Sequence, residues 1–482
     1  MTASSRMTSS LAALTLLLAA AGCGSEPAAV RRVILISCDT LRADHLDPYG
    51  YERGTSPELA AFAREGVVFE HAYASAPMTQ PSLSSLLTGK LPEEIGVAHG
   101  NLRRLPSEVE TLPERLRAHG VPSAAVISNW VLRRPDPAEG DVGVQQGFEH
   151  FDDEMTSQER NRRLYERLAP DTTAGAIDWL EGREASESFF LWVHYQDPHG
   201  PYTPPAGLAR KFAQEPPAGP ELERGLDVRG FGQIPSYQVL GRERRAGAYE
   251  DLYDAEIRFF DREFGKLITY LRENAFLDDA LVVFTSDHGE SLGEHDYWFC
   301  HGENVHREQV RIPFILRYPP GTGPEVAVGA DGYRRVESVA GHLDLWPTVL
   351  EALGVEAGPT LGSSLFHSLP PADRVLGQSL VPRADRARWG AVSDGRWRVI
   401  WNDDQPPQLF DVHADPAEEH DLAGEEPERV ARMLESWRQA VAGAAAGGPQ
   451  TVGADMTSEG DTDALRFLGY VDDDEPQDSE KQ

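Results

Sequence analysis

Five short, unbroken apolar runs recur along the chain: residues 33–37 (VILIS), 124–127 (AAVI), 189–193 (FFLWV), 281–285 (LVVFT) and 313–316 (PFIL). Segments of this length with no polar alternation are covered on both faces, the pattern of strands in a buried parallel sheet. Between them, apolar positions repeat at helical spacing over 56–65, over 112–118 with a stop at Gly120, over 172–181, and over a long stretch at 249–272. Strands alternating with helices predict a parallel or mostly parallel sheet with helices on both faces. One more helix follows at 343–353. The pattern then changes: residues 391–401 alternate around Asp394-Gly395, a hairpin-like turn, and a helix at 427–441 runs into a small-residue linker at 442–448. This end of the chain reads as a smaller antiparallel sheet with a helix. The Pro- and Gly-rich stretch at 200–245 is a long insertion expected to cover part of the site. No internal repeat is evident.

The N-terminus reads differently. Residues 11–21 form the longest apolar run, about half the ~20 residues that a membrane span needs. Arg6 precedes it and Leu-Ala-Ala-Ala-Gly-Cys closes it at 18–23, a basic segment, apolar segment and small-residue cleavage site in the order of a secretory signal. A Cys directly after Ala-Gly resembles a bacterial lipoprotein signal, which implies that Cys23 is the lipidated first residue of an exported protein anchored on the periplasmic or cell-surface side of a bacterial membrane. The expected organisation is a signal at 1–22, a tether at 23–30, a catalytic domain at 31–385, a C-terminal α+β subdomain at 386–471 and an acidic disordered tail at 472–482.

Composition narrows the function. The 482 residues carry a formal net charge of −33, which argues against nucleic acid and against electrostatic docking on anionic lipid. Three cysteines cannot build a disulfide scaffold. Beyond Cys23, Cys38 and Cys300 are left either to pair in an oxidising compartment or to stay as buried thiols.

In open α/β sheets ligands gather beyond the carboxyl ends of the strands. After the first run stand Ser37-Cys38-Asp39-Thr40; after the third, His194-Tyr195-Gln196-Asp197-Pro198-His199; after the fourth, Ser286-Asp287-His288-Gly289-Glu290. Carboxylates and imidazoles at matching strand ends can hold a divalent cation. A hydroxyl stands in residues 76–89 (APMTQPSLSSLLTG), where Pro81 suits a first helical turn and Gly89 a stop. Thr79 then lies at a helix N-terminus, where N–H groups and the dipole favour an anion. Beside a cation, such a hydroxyl can ionise and attack phosphorus or sulfur.

Together, residues 33–51 (VILISCDTLRADHLDPYGY), 76–89, 189–205 (FFLWVHYQDPHGPYTPP), 284–295 (FTSDHGESLGEH) and 409–422 (LFDVHADPAEEHDL) resemble the sulfatase family of the alkaline phosphatase superfamily. The resemblance implies an α/β, alkaline-phosphatase-like sandwich: a large, mostly parallel sheet with helices on both faces, plus a smaller C-terminal antiparallel sheet with a helix. It makes Asp39, Asp287 and His288 metal ligands and Thr79 the nucleophile, also touching one divalent ion, Ca²⁺ or Mn²⁺, with Zn²⁺ brought within range by the imidazole. His301 takes the leaving-group role and His194 a substrate-contacting catalytic one, while Asn129 and His199 are substrate-binding candidates. Arg42 and Asp44 are expected to pair and orient the Asp39 loop, and His342 and Asp344 to support the site from outside it.

The departures are informative. Thr40 and His288 replace the second carboxylate and the Asn of many sulfatases, and the Asp/His pair is closer to phosphonate monoester hydrolases and to phosphoglycerol and phosphoethanolamine transferases. Thr79-Gln80-Pro81-Ser82-Leu83 stands where the family has Cys-x-Pro-Ser-Arg, whose Cys becomes formylglycine. Oxidising the secondary alcohol of threonine gives a ketone, and Leu83 replaces the Arg, so no formylglycine is expected. Direct attack by Thr79 favours a phosphoester or phosphonate ester, because phosphothreonine is open to attack by water at phosphorus. Two readings stand beside this one: a sulfuric ester hydrolase without formylglycine, working through Thr79 or Ser82, and a non-catalytic lipoprotein that binds an anion or glycan.

Overall fold

The computed structural model describes residues 30–97, 105–134, 143–159, 164–226, 228–380 and 387–444. The expected leader, Cys23, the start of the tether, the boundary at 385–386 and the acidic tail lie outside the described residues.

Eight strands form one sheet in the order Arg334–Val336, Val67–Phe69, Phe314–Arg317, Ala280–Ser286, Arg32–Cys38, Phe189–Tyr195, Ser123–Ile127, His150–Asp152. Neighbours run parallel except at Phe314–Arg317, which is antiparallel to both of its partners. The apolar run at 313–316 looked like the parallel ones because burial on both faces, not direction, sets such a pattern. The chain leaves Ala280–Ser286 at its carboxyl end, makes the site loops there and returns from the same end, so this strand runs back.

Alternation along the central strands divides the core. Ile34, Ile36, Leu191, Val193, Val282 and Phe284 pack against the helices Pro57–Glu65, Ala169–Glu181 and the 28-residue Ala246–Glu273. Val33, Leu35, Phe190, Trp192, Leu281 and Val283 pack on the opposite face with Thr79–Thr88, Leu112–Ala118 and Leu345–Ala352. This is the expected large sheet with helices on both faces.

The C-terminal sheet is antiparallel throughout: Leu376–Leu380, Trp389–Ser393, Trp397–Asn402, Gln405–Asp411, with the helix Pro427–Ala444 beside it. Its first strand lies upstream of residue 386, a span without strict alternation. The turn at Asp394-Gly395 is as expected; Gly395 sits at φ +102° and Asp394 Oδ1 accepts from the N–H groups of Arg396 and Trp397. The 200–245 insertion docks on the site loops: Tyr237 Oη donates to Phe299 O (2.9 Å) and Tyr202 Oη to Glu290 Oε2 (3.3 Å). Cys38 and Cys300 are buried, free thiols.

A buried ion pair joins the two sheets' domains. Arg398 and Glu418 are each 0% exposed and 2.7 Å apart, and Glu418 also accepts from His306 Nδ1 and Arg307 N while Arg398 donates to Val305 O. Burial alone would raise the Glu418 carboxyl, but Arg398 and His306 hold it down to about 2 from 4.5. A depressed carboxyl contributes stability that is complete above the unfolded pKa and is lost as pH falls toward the folded one. Glu418→Gln is therefore expected to cost about 3–5 kcal/mol at pH 7, with the gap to wild type closing toward pH 2; urea midpoints across that range check it.

Candidate active site

Sheet register assembles the site. Cys38 pairs with both Tyr195 and Ser286, which levels the carboxyl ends of the three central strands. The ladder continues one residue further, with Asp39 N donating to Tyr195 O (2.9 Å) and Asp287 N to Cys38 O (3.0 Å). Asp39 and Asp287 are thus set side by side, both fully buried. Thr40 turns the chain at φ +54°, and its N–H and that of His288 donate to Asp287 Oδ1 (3.1 and 2.7 Å).

The remaining donor atoms converge. Nδ1–H of His288 donates to Gly289 O (2.8 Å), leaving the Nε2 lone pair 3.5 Å from Asp287 Oδ2, 3.9 Å from Asp39 Oδ1 and 3.4 Å from Thr79 Oγ1. Ser37 Oγ, which accepts from Trp192 Nε1, holds His194 Nδ1 (both 2.9 Å), and His194 Nε2 lies 3.9 Å from Asp39 Oδ2. Asp39, His194 and Asp287 present ligand atoms within 4.8 Å of one another. Asp287 Oδ2 and His194 Nε2 are buried with no hydrogen-bond partner among the described residues.

Electrostatics argue the same way. Burial and the Asp39 charge push the Asp287 carboxyl well up, while burial pulls His194 down to about 4 and, with His301, takes His288 well down. Two adjacent carboxylates shut off from water do not both ionise unless a cation is present. Neutral imidazoles keep the lone pairs that a metal uses. The donor set fits a divalent ion.

Thr79 opens the helix Thr79–Thr88 and is fully buried. Met78 is extended, the helical ladder begins with Ser82 N to Met78 O (3.1 Å), and Gly89 ends it at φ +65°, where a Cβ would stand 2.6 Å from Trp346. Ser82 is engaged elsewhere: its hydroxyl donates to Asp287 O (2.6 Å) and lies 2.9 Å from Nδ1 of His342, whose Nε2–H donates to Ser286 O (2.8 Å). This clamp ties the helix to the strand end, and leaves Thr79 as the hydroxyl that faces His288. Leu83 is buried in the apolar core.

Around this centre the other candidates take distinct places. His301 Nδ1 meets Glu290 Oε1 at 3.1 Å, and its ring lies 4.3 Å from that of His288 and 5.5 Å from that of His199. Burial would lower the His301 pKa, but Glu290 outweighs it and raises it. His199 Nδ1–H donates to Gly200 O (2.7 Å). Asn129 braces Asp39: its Nδ2 donates to Asp39 Oδ2 and its Oδ1 accepts from Val131 N (2.8 Å). His194 is fully buried and grouped with the carboxylates. Arg42 pairs with Asp44 (2.7 Å), and also with Glu294 and Glu290 O, linking the two motif loops. Asp344 pairs with Arg374 (2.7 Å), away from the centre. Ser37 and Glu290 stand in the strand-end clusters without a role read from sequence; sequence reasoning missed Tyr253, whose hydroxyl donates to Thr40 O (2.7 Å), for nothing in the long helical stretch marks it.

Known proteins share this arrangement of sequence and fold. The family model described as Sulfatase matches residues 31–355. A choline-sulfatase of Rhizobium meliloti (strain 1021) is 26% identical over 420 residues, covering 76% of this chain and 77% of that one. A multifunctional alkaline phosphatase superfamily protein of Trinickia caryophylli is 24% identical, covering 82% and 91%. The crystal structure of a phosphonate monoester hydrolase of Agrobacterium radiobacter superposes with a TM-score of 0.67 at 20% identity, over 86% of this chain and 96% of that one. A structure in complex with its substrate, D-glucosamine-2-N,6-O-disulfate, gives 0.68 at 20% identity, over 87% and 99%. The matched span begins one residue before the first strand and runs past the last residue that supports the site, so the chain belongs to the sulfatase family and is a hydrolase of that family.

Proposed function

We propose that this hydrolase acts on an anionic phosphoester or phosphonate ester, with Thr79 as the direct nucleophile and water or an acceptor alcohol taking the group onward. The observation that carries the reading is the Thr79 hydroxyl, at a helix N-terminus and 3.4 Å from His288 Nε2, beside the buried Asp39 and Asp287. Asp39, Asp287 and His288 would hold a divalent ion, with His194 adjoining; carboxylate and imidazole donors suit Ca²⁺ or Mn²⁺ and extend to Zn²⁺. When bound, that ion lowers the pKa of a neighbouring hydroxyl and offsets charge on the ester oxygens.

With its proton released to solvent, Thr79 Oγ bonds to phosphorus as the bond to the leaving oxygen breaks. His301, raised in pKa by Glu290, delivers a proton to that oxygen. Helix N–H groups and the second hydrogen of the Asn129 amide favour the negative ester oxygens. Water then attacks phosphorus, passing a proton to the now neutral His301, and Thr79 Oγ departs and regains its proton from solvent. The sulfuric ester reading draws on the 26%-identical choline-sulfatase. Against it, a sulfate on Thr79 lacks the hemiacetal route for release.

A panel of aryl sulfate, phosphate monoester, phosphodiester and phosphonate monoester, each with Mn²⁺, Ca²⁺ or Zn²⁺, tests the reading. Hydrolysis of the sulfate alone would overturn it, and failure of every ester with metal bound would favour a binding protein. Within the panel, His301→Gln is expected to lower kcat about 10²- to 10⁴-fold for alkyl leaving groups and far less for p-nitrophenyl, which leaves without a proton.

A further inference from the structure

A second group of metal-type side chains lies away from the catalytic centre. The strands Val67–Phe69 and Arg334–Val336 run parallel with Phe69 opposite Val336, and pairing resumes at Ala72 opposite Ala340. Between those points Glu70 N donates to Val336 O (2.9 Å) and Ala340 N to His71 O (3.0 Å), which holds His71 and Glu337 on adjacent chain segments. His413 arrives from the C-terminal sheet, just after Gln405–Asp411. Its N–H donates to Asp411 Oδ1 (3.2 Å), and Arg396 grips that carboxylate at 2.7 Å. The Asp394-Gly395 turn closes from the same side: a Cβ on Gly395 would stand 3.1 Å from Glu337 O and 3.4 Å from the His71 ring.

The donor atoms point at one another. His71 Nε2 is 3.1 Å from His413 Nε2 and 3.2 Å from Glu337 Oε2, and all three residues present ligand atoms within 4.8 Å. A tetrahedral ion with bonds of ~2.0–2.1 Å sets its ligand atoms roughly 3.3 Å apart, close to both distances. Burial, then Arg311 and His413, hold His71 down to about 3, so its ring stays neutral with a lone pair to give. Two cations near the group have other partners: Arg311 donates to Glu70 O (3.1 Å) and Arg396 pairs with Asp411. The Glu337 side chain is 72% exposed, so an ion can enter and keep a water as fourth ligand.

We propose that His71, Glu337 and His413 bind one Zn²⁺-class transition-metal ion that ties the C-terminal sheet to the catalytic domain. Two imidazoles and one carboxylate select a borderline ion over Ca²⁺ or Mg²⁺. The ion is separate from the catalytic one, so its loss alters domain attachment before it alters chemistry.

The test removes the catalytic site's contribution first. Full-length Asp287→Asn protein, stripped with a chelator and dialysed against Zn²⁺, is expected to retain one zinc per chain by elemental analysis. Asp287→Asn with His413→Ala, or with Glu337→Gln, is expected to retain none. Co²⁺ loaded into the Asp287→Asn chain is expected to show tetrahedral visible absorption that the double variants lose. His413 and Glu337 are both exposed, so circular dichroism of the variants should match the parent. His413→Ala alone should keep ester hydrolysis while losing the rise in Tm that Zn²⁺ gives beyond the catalytic metal. Equal zinc content with and without His413 and Glu337, or no zinc in the Asp287→Asn chain, would overturn the site.

Discussion

Thr79→Ala should lower kcat for the preferred ester by roughly 10³- to 10⁶-fold, the range seen when a covalent nucleophile is deleted. The methyl of alanine leaves the Asp39–Asp287–His288 cluster intact, so metal content should hold while turnover falls. Thr79→Ser keeps a hydroxyl at the same helix position and is expected to retain much of the activity. The two variants together separate chemistry from packing, because Thr79 is fully buried and alanine also leaves a small void there. Rapid acid quench of the wild type during turnover, followed by peptide mass spectrometry, should find a phosphoryl group on Thr79 and none in Thr79→Ala. Undiminished activity in Thr79→Ala would remove the nucleophile assignment and leave the metal site to be explained through activated water.

The parts of the site that were legible in sequence are those that punctuate a pattern. Asp39, His194 and Asp287 end or follow unbroken apolar runs, and a sheet with level strand ends has to bring them together. Thr79 is framed by Pro81 and Gly89, two residues whose backbone restrictions mark the helix. Other features leave no local trace. The strands Val67–Phe69, His150–Asp152 and Arg334–Val336 have three residues each, too few for a period to appear. The direction of Phe314–Arg317 follows from where the preceding loop returns, which apolar content does not encode. Roles are less legible than positions: the Asn129 amide also braces Asp39, and His194 stands among the ligand candidates. His71 and His413 meet across 342 residues; His71 stands in none of the sulfatase-like segments, and the 409–422 segment that holds His413 does not show which residue it faces.

Asp287→Asn should abolish metal retention at the catalytic centre and lower activity at least as far as Thr79→Ala, yet make the metal-free protein more stable. The asparagine carbonyl can still accept from Thr40 N and His288 N, so the turn survives. What disappears is one of two fully buried, adjacent carboxyl groups that resist ionising together, and the new amide supplies a donor beside Asp39. Burial and Asp39 hold the Asp287 carboxyl well above 3.8 in the fold. For an acid raised on folding, stability is full below the unfolded pKa and is lost as pH rises from there through the folded one. The metal-free wild type should therefore weaken as pH climbs from about 4, and the variant should not share that loss. Replacing a badly placed buried charge is worth about 1–4 kcal/mol, so chelator-treated Asp287→Asn should melt several degrees above chelator-treated wild type at pH 7. Adding Ca²⁺ or Mn²⁺ should reverse the order, because only wild type has the charge to bind the ion at this centre. A chelator-treated variant that melts below wild type would mean that the second carboxylate is accommodated by the protein itself, and the case for a cation at this centre would lose its electrostatic basis.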